Sequence, residues 1–274
     1  MLGPTAADPP NDVAESSPTR ASRDIVPRMP ARSGLRAALA AGERVRGTFL
    51  KLAGEEPVDL AKAAGADFVV VDLEHSQLSE EQARRAVSRA AALGLPALVR
   101  IPAVDSGLIN RLLEAGAAGV QLSTLRSAAE TAALIAATRY APDGARSISL
   151  AHPGANYSGV PLADYLAAER NDPPLLVGQI ETATTDDPLP DVVRGLDVVF
   201  LGVTDLAVSV GLGNTEAFDE RVREVRAVGT ITGSWCATPD AATAAEAAGD
   251  RYVVIGSDLQ FLAAALRKTL GETR

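Results

Sequence analysis

The chain has 274 residues, 47% of them hydrophobic, and a formal net charge of −9. That excess of acid gives no long-range attraction for phosphate backbones or anionic lipids, which argues against nucleic acid and membrane surfaces as partners. A single cysteine, Cys236, excludes an internal disulfide framework and a cysteine-cluster metal site, and fits a reducing, cytoplasmic setting.

Residues 1–34 are rich in Pro, Ser, Asp and Arg and show no apolar period, so a disordered N-terminal extension is expected there. They lack the basic start and apolar centre of a signal peptide, and no apolar run in the chain is long enough to cross a bilayer. Residues 35–274 are expected to form one domain. After Arg44 one unit recurs. A helical pattern ends in Ala-Gly or Arg-Gly, and a short apolar strand follows two or three residues later. It appears as AGADFVVVD from Ala64, AGAAGVQLS from Ala115, RGLDVVFLG from Arg194 and AGDRYVVIG from Ala248. The glycine suits the left-handed residue just past a helix. Strands apolar on both faces belong to a parallel sheet covered by helices.

The pattern predicts strands over residues 45–51, 68–72, 97–101, 119–122, 175–180, 198–201, 230–234 and 252–255, with helices between. SEEQ from Ser79 matches a capping box, opening a helix with Ala83, Ala86, Val87 and Ala90 on one face. Strand and helix alternating to a count of eight predict an α/β fold, a (β/α)8 TIM barrel, with a doubly wound open sheet as the alternative. The longest gap, residues 140–174, carries ARSISLAHPGANYSG and LADYLAAER. An insertion of that length reads as functional.

In such a barrel the loops after the strands build the active site. Strand two ends in Asp72, Glu74 and His75, one of only two histidines. Strand three ends in Arg100, strand five in Gln179 and Glu181, strand six in Gly202, Thr204 and Asp205, strand seven in Ser234, Trp235 and Cys236, and strand eight in Ser257 and Asp258. Each has an ordinary reading. Asp105 and Asp258 read as helix N-caps, Glu74 as a solvated or ion-paired acid, Arg100 as a structural carboxylate partner, and the second histidine, His152, as a loop residue or a substrate contact. Together they converge on one rim. Glu181 and Asp205 lie 24 positions apart, about one βα crossover, hence on neighbouring strand tips. Two carboxylates without cysteine make an oxygen-only site suited to Mg²⁺ or Mn²⁺. The alternative is an acid pair bridged by an arginine. Of the three lysines, only Lys51 lies near a strand end as a Schiff-base candidate; Lys62 and Lys268 fall on outer helices.

Taken in order, VDLEH, LVRIP, QIET and GVTDLA resemble the metal-dependent pyruvate aldolases, the 4-hydroxy-2-oxoheptanedioate and 2-keto-3-deoxy acid aldolase family often called HpcH/HpaI. The resemblance runs from about residue 47 to 266. It implies that Glu181 and Asp205 hold a divalent metal, Mg²⁺ or Mn²⁺, with Co²⁺ also compatible. His75 would be the general base and Asp72 would orient its ring. Arg100 would bind the keto oxygen and stabilise an enolate, Gln179 would order water at the metal, and backbone amides around Gly202 and Thr204 would hold the pyruvate carboxylate. It further implies a carbon–carbon lyase that cleaves or makes a 4-hydroxy-2-oxo acid, assembled as a homo-oligomer, a hexamer built from dimers. The last helix, DLQFLAAALRKTL, would pack on a neighbouring subunit. Three positions depart from the family pattern: Val203 stands where Pro is usual, Ala207 where Ser is usual, and Ser147 follows Arg146 where Gly is usual. They leave open a related metal-enolate enzyme (a 2-oxo acid decarboxylase, condensing synthase or thioester lyase) or a non-catalytic ligand-binding barrel.

Overall fold

The structure, a computed structural model, describes residues 31–271. In chain order the elements are α1 (Ala31–Ala40), β1 (Val45–Leu50), α2 (Glu56–Ala63), β2 (Phe68–Asp72), α3 (Glu80–Ala92), β3 (Ala97–Ile101), α4 (Ser106–Glu114) and β4 (Gly119–Leu122). There follow α5 (Ala128–Thr138), α6 (Leu162–Asn171), β5 (Leu175–Ile180), α7 (Leu189–Val192), β6 (Val198–Leu201), α8 (Val203–Ser209), α9 (Thr215–Arg226), β7 (Ile231–Cys236), α10 (Pro239–Ala247), β8 (Tyr252–Ser257) and α11 (Asp258–Leu270). Each strand pairs in parallel with the next, and β8 returns to β1, closing the sheet into a (β/α)8 barrel. The open-sheet alternative is thereby excluded.

The local signals act as expected. Ser79 and Gln82 form the reciprocal capping box at the start of α3. Gly65, Gly116, Gly195 and Gly249, from the four repeated units, all have positive φ. Two strands run further than expected. β7 continues through Trp235 and Cys236 because these pair with Val254 and Ile255, and β8 continues to Ser257, which pairs with Phe49.

Side chains alternate between two cores. Val69, Val71, Val99, Val120, Ile180, Val199 and Leu201 face the surrounding helices. Phe49, Phe68, Val70, Leu98, Leu175, Val177, Val198, Phe200, Tyr252 and Val254 fill the barrel interior. Large and small residues interlock there: a Cβ on Gly47 would lie 2.5 Å from the Phe68 ring, which stacks on Tyr252 at 4.2 Å between centroids.

The folded part begins earlier than expected. The anticipated extension reached residue 34, yet α1 starts at Ala31; residues 1–30 of that extension lie outside the described residues. Leu35 and Leu39 of α1 join the interior cluster from the N-terminal end of the barrel. Arg32 pairs with Glu169 and Asp172, and Arg36 pairs with Asp197 and donates to the Pro173 carbonyl at 2.8 Å. The helical spacing of the two leucines and two arginines overrode the polar composition. At the other end of the chain, α11 has no buried residue and exposes Leu259, Phe261, Leu262 and Leu266. Among the described residues no helix is long and apolar enough to cross a membrane.

Candidate active site

Along the barrel interior the chemistry changes at the last inward step of each strand. On β2, Phe68 and Val70 are followed by Asp72; on β3, Leu98 by Arg100; on β4, Gly119 by Gln121; on β5, Leu175 and Val177 by Gln179 and then Glu181. The β2–β3 register sets Asp72 directly across from Arg100. Arg100 Nε and Nη2 donate to the two carboxylate oxygens of Asp72 at 2.9 and 2.6 Å. Lys51 Nζ lies 3.0 Å from Asp72 Oδ2, and the amides of Glu74 and His75 donate to Oδ1 at 3.0 and 3.2 Å. Burial alone would raise the Asp72 pKa. The bonds and charge of Arg100, with the His75 amide and Lys51, outweigh it and bring the group down to about 2.

This geometry corrects the expected role of Asp72. Its oxygens are taken by Arg100, Lys51 and two backbone amides, so it fixes the guanidinium and the turn, not the imidazole ring. The carboxylate beside the ring is Glu74, whose Oε2 lies 3.7 Å from His75 Nε2 and 3.3 Å from Arg100 Nη1. His75 itself is exposed at the cavity mouth. Lys51 also donates to the His75 carbonyl at 3.2 Å. The Lys51 ammonium is thus engaged by two acceptors, the Asp72 carboxylate and the His75 carbonyl.

Glu181 is buried. Its Oε1 accepts the Thr124 amide at 2.7 Å and the Thr124 hydroxyl; its Oε2 accepts the Gln179 side-chain amide. Gln179 is held in turn by Gln121 Nε2, which donates to its Oε1 at 2.8 Å. Thr124 adopts a left-handed φ of 46°, costly for a β-branched residue, and in that pose its amide and hydroxyl both meet Glu181. Burial raises the Glu181 pKa, the Thr124 and Gln179 bonds oppose the rise, and the charges of Glu74 and Asp205 add to it. A Cβ on Gly202 would sit 2.4 Å from Glu181 Oε2, so only glycine lets the tip of β6 come this close. Asp205 lies exposed on the first turn of α8.

Neither Glu181 nor Asp205 has a cationic partner among the described residues. The expected alternative of an acid pair bridged by arginine does not occur, because Arg100 is spent on Asp72 and Glu74. Among the described residues no group of three or more His, Cys, Asp or Glu side chains is arranged to hold a metal. What the rim offers is a two-carboxylate, all-oxygen set with uncompensated charge, which fits a hard divalent cation completed by water and substrate. A cavity of about 570 Å³ opens beside it, lined by Lys51, His75, Arg100, Gln179, Gly202, Val203, Thr204 and Asp205 with Phe49, Phe200, Trp235, Ser257, Leu259 and Gln260. Its size is that of a small-molecule site.

Residues 46–263 match the HpcH/HpaI aldolase/citrate lyase family. The chain belongs to that family. It is 30% identical to a hydroxypyruvate/pyruvate aldolase of Roseovarius nubinhibens over 251 residues, 87% of this chain and 96% of that protein. It is 30% identical to a 4-hydroxy-2-oxovalerate aldolase of Rhodococcus jostii over 239 residues, 82% of this chain and 90% of that one. The crystal structure of an HpcH/HpaI aldolase from Desulfitobacterium hafniense superposes with a TM-score of 0.76 at 29% identity, covering 88% of this chain and 97% of that chain.

Several HpcH/HpaI site features escape a linear reading. Gln121 could have been noticed as the polar break in the apolar VQL of β4. Phe49, whose ring centroid lies 4.3 Å from the Arg100 guanidinium carbon, and Thr124 carry no local signal. Asp105 is the N-cap expected, accepting the Leu108 amide at 2.8 Å. Asp258 is not: Ser257 caps α11, and the Asp258 carboxylate accepts the amides of Lys51 and Leu52 at 3.0 Å, tying β8 to the turn that carries Lys51. His152 lies outside the rim cavity. It is buried against Tyr165, 5.5 Å between ring centroids, and burial lowers its pKa.

Proposed function

We propose that this HpcH/HpaI protein is a divalent-metal-dependent aldolase that cleaves or forms a 4-hydroxy-2-oxo acid through a pyruvate enolate. The observation that carries the reading is a pair of carboxylates without a cationic partner among the described residues, Asp205 in the cavity wall and the buried Glu181, at a cavity that also presents a locked guanidinium. Those two residues would hold Mg²⁺ or Mn²⁺, which when bound supplies Lewis-acid stabilisation of negative charge on the keto oxygen. Arg100, held by Asp72 from behind and by the Phe49 ring, stabilises the same developing charge without having to reorganise. In the cleavage direction the bond between C3 and C4 breaks, its electron pair passes into the enolate, and His75 takes the C4 hydroxyl proton. The reverse direction returns that proton to the aldehyde oxygen. Gln179, fixed between Gln121 and Glu181, keeps the buried carboxylate in place. The backbone around Gly202 and Thr204 receives the pyruvate carboxylate.

A homo-oligomer belongs to the same proposal. Leu259, Phe261, Leu262 and Leu266 of α11 stay exposed among the described residues, which supports packing on a second subunit.

The test follows pyruvate alone. Protein stripped with chelator is placed in deuterated water with pyruvate, and loss of the methyl proton signal is followed with and without Mg²⁺ or Mn²⁺. Exchange should require the metal, vanish in Glu181→Ala, and slow on the order of 100-fold in His75→Ala. Metal binding without any exchange would overturn the reading.

A further inference from the structure

Glu74 is neither a member of the two-carboxylate set nor a partner of the buried glutamines, yet its surroundings are specific. One tight turn carries it and the histidine together. Asp72 Oδ1 accepts both the Glu74 and the His75 amide, and Ser76 Oγ donates to the Asp72 carbonyl. The turn sets the Glu74 carboxylate beside the imidazole of its own chain neighbour. Glu74 Oε2 lies 3.7 Å from His75 Nε2 and 3.3 Å from Arg100 Nη1. Both are within ion-pair reach, but Oε2 is shielded from solvent and accepts no hydrogen bond among the described residues. A buried acceptor is costly to leave in that state. The Glu74 side chain is 14% exposed and the His75 side chain 57%, so the ring is the partner with room to turn. Arg100 holds Glu74 by charge, while its Nε and Nη2 bond Asp72.

We propose that Glu74 is a positioning residue for His75: it accepts a hydrogen bond from Nε2–H, which leaves Nδ1 to take the substrate proton, and it stabilises the imidazolium once that proton has arrived. The proposal rests on the aldolase reading and adds a residue to it. A neutral imidazole carries one ring proton, and an anionic acceptor at Nε2 fixes it there, leaving the Nδ1 lone pair free. In the cleavage direction the C4 hydroxyl proton passes to Nδ1, the bond between C3 and C4 breaks, its electron pair enters the enolate, and the ring becomes a cation. Asp72 cannot serve that cation, because Arg100, Lys51 and two amides hold its oxygens. Glu74 can. A carboxylate behind an imidazole both orients it and stabilises its charged form. Contacts of this kind are long in the empty site and tighten when substrate is bound.

The test is a double-mutant cycle read by pyruvate methyl exchange at saturating Mg²⁺. Glu74→Gln keeps the size of the side chain and removes its charge. It should lower kcat roughly tenfold, with KM for pyruvate and Mg²⁺ affinity unchanged. Glu74→Asp, which keeps the charge, should recover part of that loss. In a His75→Ala background, Glu74→Gln should change the remaining rate by less than about twofold, because a residue that acts through the imidazole has nothing left to act on. An equal loss in both backgrounds, or weakened Mg²⁺ binding, would show that Glu74 serves Arg100 or the metal. Either result, or an unaltered rate in Glu74→Gln, would overturn the inference while leaving the enolate chemistry intact. Absence of exchange in the wild type with metal bound would instead remove the aldolase reading, and the inference with it.

Discussion

The two ends of the barrel interior are made by the same strands, one pleat step apart, and are held together by different forces. Toward the N-terminal end, Phe68, Val70, Leu98, Leu175 and Val177 pack under Leu35 and Leu39 of α1. Burial of this kind is non-directional and worth about 1.5–3 kcal/mol for each large side chain. Toward the C-terminal end, Asp72, Arg100, Gln121, Gln179 and Glu181 replace the hydrocarbon. Their positions are set by directional bonds, and an interior carboxylate such as Glu181 lies in a setting that penalises its charged form. The lower end supplies stability, and the upper end gives some of it up for chemistry.

Removing a rim charge that is properly paired should have the largest effect. Asp72→Asn leaves Arg100 and Lys51 without their carboxylate and should cost about 3–5 kcal/mol in urea unfolding at pH 7. The pH dependence has a definite sign. The folded pKa of Asp72 is depressed to about 2 from an ordinary 3.8, so its contribution is complete above 3.8 and is lost as pH falls toward 2. The gap between wild type and Asp72→Asn should therefore narrow by roughly 2 kcal/mol across that window. A constant gap would show that Asp72 acts through packing alone.

At the opposite end, Leu39→Ala should cost about 2–4 kcal/mol in the same assay and leave pyruvate methyl exchange per folded molecule unaltered. A drop in exchange would mean that the two ends are mechanically coupled, and the contrast between them would fail.

The smallest effect should run the other way. Burial raises the pKa of Glu181, so its charged form weakens the fold as pH rises through that elevated value. Glu181→Gln should raise the melting temperature at pH 7 in the presence of chelator while abolishing metal-dependent exchange. A lower melting temperature would show that the Thr124 and Gln179 bonds outweigh the burial.

The barrel was legible because β2, β4, β6 and β8 are largely apolar runs, each preceded by a helix-stopping glycine, and the rim because strand ends carry Asp72, Arg100, Gln179 and Glu181. What could not be read was who meets whom. Asp72 faces Arg100 because of the β2–β3 register, a property of two strands at once. The family resemblance suggested His75 as its partner instead. Thr124 became visible only as a left-handed backbone, and α1 was hidden by the serines and arginines around its two leucines.

The closure of the sheet also bears on how the chain is made. β1 has β2 for one neighbour and β8 for the other, Arg36 reaches Asp197 across 161 positions, and Asp258 caps amides of Lys51 and Leu52 across 207 and 206. Synthesis proceeds from the N-terminus, so α1 and one edge of β1 emerge from the ribosome long before their partners exist. Pairing across such separations is slow, and unpaired edges are prone to association. The seam between the first and last strands is thus the final joint of the barrel. Until it is sealed, Leu35, Leu39 and Phe49 are the surfaces a nascent chain must keep from its neighbours.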